Sequence, residues 1–218
     1  YMITANCWTI HQLNLETGED LQITSSLTTQ PTAIAHSWTD GLLYTAGYES
    51  WNPGTVFIEA YSLQSGFNRR LGSLSESQLA YKATAYINAM VYAGGKLYYI
   101  HPNTDDLIEV SMNDERTALV SSTKVADINS NNSLGEVAAL TFDSAGKLYI
   151  SRSDAHLLAT YNFPTRSGYT VLKSSMQADY DSLTFSDAGI LHGVYAHKTD
   201  ELRTFSELLA FKNRAARE

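Results

Sequence analysis

Four segments of the chain, residues 33–44, 89–98, 139–149 and 182–192, repeat one pattern. An alternating apolar run leads to a glycine turn, and a second alternating run follows, built on Leu-Tyr or a variant of it. Period-two alternation is the mark of a half-buried strand, and glycine at the turn supplies the positive φ of a tight hairpin. Each segment therefore reads as a β-hairpin. Further on, each unit offers another strand end that runs into a polar turn, at residues 13–18, 61–66, 110–115 and 161–166. The apolar anchors of those turns, Leu15, Leu63, Met112 and Phe163, are spaced by 48, 49 and 51 residues, and residues 210–213 begin a similar stretch about 50 further on.

Four strands in a unit of about 50 residues is the period of a β-propeller blade. The expected fold is all-β, a β-propeller of about five four-stranded blades forming a single domain over residues 1–218. Its repeat units lie near 1–30, 31–82, 83–133, 134–178 and 179–218. The terminal blades read as incomplete, because residues 1–5 align with a second strand and 207–218 with a third. Five blades that close imperfectly and a piece of a larger propeller both satisfy that pattern. Unpaired strand edges at either end would invite pairing with another chain. The only helical alternative is 206–217, where Leu208, Leu209 and Phe211 could share one helical face.

Charge and cysteine usage remove several classes of function. Lys and Arg number 15 against 23 Asp and Glu, a net charge of −8, and no basic run exceeds Arg69-Arg70. Without a basic stripe to neutralise phosphates, neither nucleic acid nor an anionic membrane surface is an expected partner. No apolar run approaches the roughly 20 residues that span a bilayer, so no membrane insertion is expected. The single cysteine, Cys7, rules out an internal disulfide framework and a cysteine-based zinc cluster. It has no basic neighbour to activate it. The Ser, Thr, Asn and Tyr content with few lysines suggests a periplasmic or secreted bacterial protein. For a chain that opens on Tyr1, the expectation is an N-terminus that was processed, trimmed or not observed.

The stretch 139–150, Ala-Leu-Thr-Phe-Asp-Ser-Ala-Gly-Lys-Leu-Tyr-Ile, resembles the repeat of bacterial propellers of the SMP-30, NHL and streptogramin-lyase type. The resemblance runs through the four copies and is structural, carrying turns and core packing. It implies a propeller fold shared by lactonases, lyases, carbohydrate binders and interaction scaffolds, so function must come from the site. The lactonase-like members hold a divalent metal with Glu, Asn and Asp at a central channel. That complete set has no counterpart here.

Ligands of such folds sit at the channel and on the face made by the loops between blades and between second and third strands. The second-to-third strand loops are expected at 6–9, 47–55, 101–106, 151–156 and 195–204, and the inter-blade loops at 25–32, 75–88, 122–136 and 173–181. In the second of the former, Tyr48, Glu49, Trp51 and Asn52 place aromatic faces beside a carboxylate and an amide, the chemistry of sugar recognition. Trp51 serves equally well as a loop anchor tucked over the blade. His101 and Asp105 occupy the equivalent loop of the next unit, Arg152, Asp154 and His156 that of the following one, and His197 the last. Histidines beside carboxylates can work as bases or bind metals, although such turns also use Asp and Asn simply to cap the backbone. The loop 124–136 offers Asp127, Asn129 and Asn131 as Ca²⁺ ligands, in a spacing that lacks the glycine and glutamate of a complete calcium loop.

No Gly-x-Ser-x-Gly, phosphate-cradling glycine loop or His-Glu-x-x-His is present. The leading expectation is a recognition module that binds a protein or carbohydrate ligand on the loop face, with no cofactor unless Ca²⁺. The alternative is a divalent-metal-dependent hydrolase or lyase of the SMP-30 type, with its site at the channel.

Overall fold

A computed structural model of the 218-residue chain describes residues 2–6, 8–13, 17, 19–24, 27–37, 40–84, 86–128, 137–152, 157–163, 165, 167–173, 182–185, 189 and 191–194. These residues form seventeen strands in five antiparallel sheets, each strand pairing with its neighbour in sequence. The first sheet holds β1 (Met2–Asn6), β2 (Thr9–Leu13) and β3 (Asp20–Thr24). The second holds β4 (Gln30–Ser37), β5 (Leu42–Glu49), β6 (Asn52–Ser62) and β7 (Asn68–Ser73). The third holds β8 (Met90–Ala93), β9 (Lys96–Ile100), β10 (Asp106–Met112) and β11 (Leu119–Asp127). The fourth holds β12 (Val137–Phe142), β13 (Lys147–Arg152), β14 (Leu157–Asn162) and β15 (Ser167–Lys173), and the fifth β16 (Ser182–Phe185) and β17 (Leu191–Val194). Among the described residues there is no helix.

Successive up-and-down sheets of this kind are the blades of a β-propeller. The four repeated segments are the hairpins β4–β5, β8–β9, β12–β13 and β16–β17. Gly41 and Gly146 stand in two of their turns with φ of 66° and 78°, the left-handed conformation expected there. The expected third strand of the last blade, and the helical alternative at 206–217, lie outside the described residues.

Two expected loops are strand instead. Residues 47–55 belong almost wholly to β5 and β6, which meet in a turn of only Ser50 and Trp51. Residues 122–127, assigned to an inter-blade loop, complete β11. The polar composition of both stretches, with two glycines in the first, resembles a loop, but hydrogen bonding to the neighbouring strand extends the ladder.

The chain divides into two compact units, Tyr1–Asp127 and Ile128–Glu218. In the first, a core between the second and third sheets buries Tyr44, Ala46, Ile58, Leu74, Leu79, Ile87, Leu97, Tyr99 and Ile108. Tyr44 stacks on Tyr92 with ring centres 5.2 Å apart, and burial, followed by the Tyr92 hydroxyl, pushes the Tyr44 phenol up to about 12. Arg116 pairs with Asp40 and ties turns of these two sheets together. A smaller core of Ile10, Leu27, Leu43 and Tyr61, with Ile34 and Leu63 against it, joins the first and second sheets. In the second unit Ala139, Tyr149, Leu158, Leu183 and Leu191 pack together, and Phe185 meets Tyr149 edge-on at 5.1 Å.

His36 lies half-buried on β4, and burial lowers its pKa from the ordinary 6.5. A histidine that resists protonation only when folded leaves the unfolded chain holding more protons once pH falls below 6.5. Stability should therefore decline on acidification through that range. In H36Q the decline between pH 7 and pH 5 should be shallower than in the unmodified chain, as read by urea unfolding. Identical slopes would contradict this.

Candidate functional site on the second sheet

The β5–β6 hairpin brings together four of the candidate ligand-binding residues, Tyr48, Glu49, Trp51 and Asn52. Between the equivalent paired positions, eleven residues (47–57) separate Ala46 from Ile58. Only six (101–106) separate Ile100 from Leu107, and six (152–157) separate Ser151 from Leu158. The second sheet thus carries a hairpin extension that the third and fourth lack.

One side of the extension is fastened by charge. Glu59 on β6 is 1% exposed, and a carboxylate so buried must be hydrogen-bonded and paired. Thr28 and Thr29, in the connection from the first sheet, both donate their hydroxyls to it, the latter at 3.0 Å. Arg70 on β7 reaches the same carboxylate at 3.3 Å and donates to Glu49 on β5 at 2.8 Å. Its guanidinium lies 4.1 Å from the centre of the Phe57 ring, a cation–π contact that holds the fork in place. Glu49 is thereby committed to an ion pair.

The other side is fastened by aromatic contact. The Tyr48 hydroxyl donates to Gln30 Oε1 at 2.8 Å, and its ring meets Tyr86, in the connection to the third sheet, edge-on at 4.8 Å. Beyond these braces the turn points outward. Trp51 is 75% exposed and Tyr86 48%, and Ser50 and Asn52 are exposed beside them. Trp51 is therefore a presented side chain and not an anchor tucked over the sheet.

The remaining candidates serve different ends. His101 holds its own turn, with Nε2 donating to the Lys82 carbonyl at 3.0 Å and Nδ1 accepting from Asn103 N at 3.4 Å. A carbonyl can only accept, which places the proton on Nε2. Asp105 occupies the same turn with φ of 52°, and Thr104 donates to Asp106 at 2.9 Å. Arg152, in the second unit, is completely buried at the end of β13 and donates to the Ile128 carbonyl at 3.1 Å. Asp127, on β11, lies 3.9 Å from Lys124, whose pKa is raised first by its hydrogen bond to Asp106. Asp154, His156, His197, Asn129 and Asn131 lie outside the described residues. Among the described residues no group of three or more His, Cys, Asp or Glu side chains has the arrangement of a metal site.

His101 and Arg152 occupy corresponding positions, three residues past Tyr98 and Tyr149 of the repeated Leu-Tyr. Both hydrogen-bond a carbonyl of the connection that leads into their own sheet. The corresponding residue of the second sheet is Gly47. There the neighbouring strand β4 packs directly on the backbone, and a Cβ would stand 2.5 Å from the Gln30 carbonyl oxygen. Two different side chains, His101 and Arg152, thus serve one purpose.

The sequence reading did not single out Arg70, Glu59, Gln30 or Tyr86. Glu59 carried a usable signal, since a lone carboxylate inside the run Val-Phe-Ile-Glu-Ala-Tyr, residues 56–61, calls for a cation nearby. Gln30 and Tyr86 carried none, because Gln30 meets Tyr48 only when β4 and β5 pair, and Tyr86 only when the connection after β7 folds back on that hairpin.

The sequence matches no protein-family model and no curated protein. The structure is similar to a chain of a nidogen/laminin complex, with a TM-score of 0.62 and 15% identity over 89% of this chain and 69% of that one. It is similar to a luciferin-regenerating enzyme, with a TM-score of 0.61 and 12% identity over 93% of this chain and 68% of that one. It is also similar to a gluconolactonase of Xanthomonas campestris, with a TM-score of 0.59 and 12% identity over 86% of this chain and 62% of that one. The chain spans roughly two thirds of each of these proteins. Identities this low establish the fold, a β-propeller, which serves binding complexes and enzymes alike.

Proposed function

We propose that the chain is a recognition module that binds a protein or carbohydrate ligand through the extended hairpin of its second sheet. One observation carries this reading. Trp51 stands 75% exposed at the tip of a hairpin that is braced on both sides. Leaving a large apolar ring in water forgoes about 1.5–3 kcal/mol of burial, which a bound ligand would recover. The braces order the hairpin in advance, so that binding does not bear the entropy of doing so. The nidogen/laminin likeness supports the reading only to the extent that propellers take part in complexes.

The test is binding of the full chain and of W51A to an array of defined glycans and to proteins retained on the immobilised chain. Truncating a binding anchor costs about 2 kcal/mol or more, a loss of roughly 30-fold in affinity. Unfolding of W51A should match that of the unmodified chain to within about 0.5 kcal/mol, because the side chain is exposed. A ligand bound with equal affinity by both forms would refute the reading. So would specific turnover of lactones or esters, unaffected by W51A, in a chain that binds nothing through this hairpin.

A further inference from the structure

The recognition reading leaves the ligand open between protein and sugar, and we infer that the hairpin tip docks a folded protein by inserting Trp51 into an apolar socket of that partner. This inference rests on the proposed function above. The tip is a two-residue turn at the end of strands of eight and eleven residues, β5 and β6. The five residues it has beyond the corresponding hairpins of the third and fourth sheets carry it outward by about two residues per strand, roughly 7 Å. Sites for small molecules are concave and enclose most of the ligand's surface. A ring that is 75% exposed on a projecting turn encloses nothing, and offers a saccharide a single flat contact. Its complement is a concave surface, which a folded protein supplies.

The surroundings fit an anchor of this kind. Tryptophan is among the residues most enriched at energetic centres of interfaces, within a rim that excludes water. Tyr86, half-exposed, is set edge-on against Tyr48 within the brace, and Ser50 and Asn52, the neighbours of Trp51 in sequence, offer uncharged hydrogen-bonding groups. No formal charge lies at the tip. Glu49, the nearest carboxylate in sequence, is held in an ion pair with Arg70 at 2.8 Å. An interface centred here gains little from charge steering, so its affinity should depend only weakly on salt.

The experiment places p-benzoyl-phenylalanine at position 51 of the full chain in its source cells, with the same group at Gln64 as control. Gln64 is exposed in the β6–β7 turn. Irradiation should yield a discrete protein adduct from position 51 and none from position 64. The protein identified in that adduct by mass spectrometry, made separately, should bind the unmodified chain. W51A should weaken that binding by roughly 30-fold or more, and W51F should weaken it less. Raising NaCl from 0.05 to 0.5 M should change the affinity by less than about threefold, since rim charges and not apolar anchors carry salt dependence. The absence of an adduct from position 51 overturns the inference, as does a partner bound equally well by W51A. A glycan whose binding is lost in W51A overturns the socket and leaves the recognition module standing. If neither protein nor glycan engages the hairpin, both fall.

Discussion

Replacing Gly47 by alanine should destabilise the first unit by about 2–3 kcal/mol, the upper part of the range for overpacking a filled site. The added Cβ would stand 2.5 Å from the Gln30 carbonyl oxygen and 2.9 Å from its carbon, so the obstacle is backbone. That backbone has nowhere to retreat. Gln30 is paired with Tyr48 in the ladder, and its side chain holds the Tyr48 hydroxyl. The register shift between Pro31 and Ala33 lies immediately beyond the Pro31–Gly47 pair. Gly54, in the same hairpin, is the control, because a Cβ there meets nothing within 4 Å. G54A should lie within about 0.5 kcal/mol of the parent. Chemical denaturation of both variants provides the comparison, and equal stability for G47A and G54A would mean that the contact is relieved by movement.

The second large effect is expected at Arg70. R70A removes the cation shared by Glu59 and Glu49 and the ring contact with Phe57. Stripping a partner from a fully buried pair costs about 3–5 kcal/mol, and because the Arg70 side chain is 35% exposed the expected loss is nearer 2–3 kcal/mol. The cause should be the stranded charge. R70A with E59Q should therefore recover about 1 kcal/mol or more relative to R70A alone, since a neutral amide is less costly to bury than a lone carboxylate. If the double variant is the less stable of the two, the loss instead reflects packing against Phe57. R70K should recover only part of the stability, because an ammonium lacks the planar fork that spans two carboxylates and lies over a ring.

The hairpins with glycine turns were legible in the sequence because their signals are local. Gly146 and the strands beside it need nothing but alternation and a positive φ to be recognised. The β5–β6 extension was not legible. Glu49-Ser-Trp-Asn-Pro-Gly54 has the composition of a loop, and what holds it as strand is Arg70, which is 21 residues from Glu49 in sequence. The end of β11 failed for another reason. It is the outermost strand of its sheet, with Val120, Thr123 and Lys124 in solvent, so no apolar alternation marks it. Arg152 presents the sharpest contrast between composition and placement. The sequence places it in a loop among the candidate ligand-binding residues, whereas it is buried and bonded to the carbonyl of Ile128. A carbonyl can be supplied by any residue, so no side-chain pattern announces it. Of the candidate hairpin, then, the tryptophan could be read from the sequence, and the contacts that brace it could not.

The contacts made by His101 and Arg152 also bear on how chains of this kind can be rearranged. Each secures a sheet to the backbone that enters it, through the carbonyls of Lys82 and Ile128 respectively. The transplantable module is accordingly the sheet together with its incoming connection, as in residues 81–127 for the third. A chimera joined at the first residue of β8 would separate His101 from its acceptor. Cut a few residues earlier, ahead of Tyr81, the same sheet would carry its fastening with it.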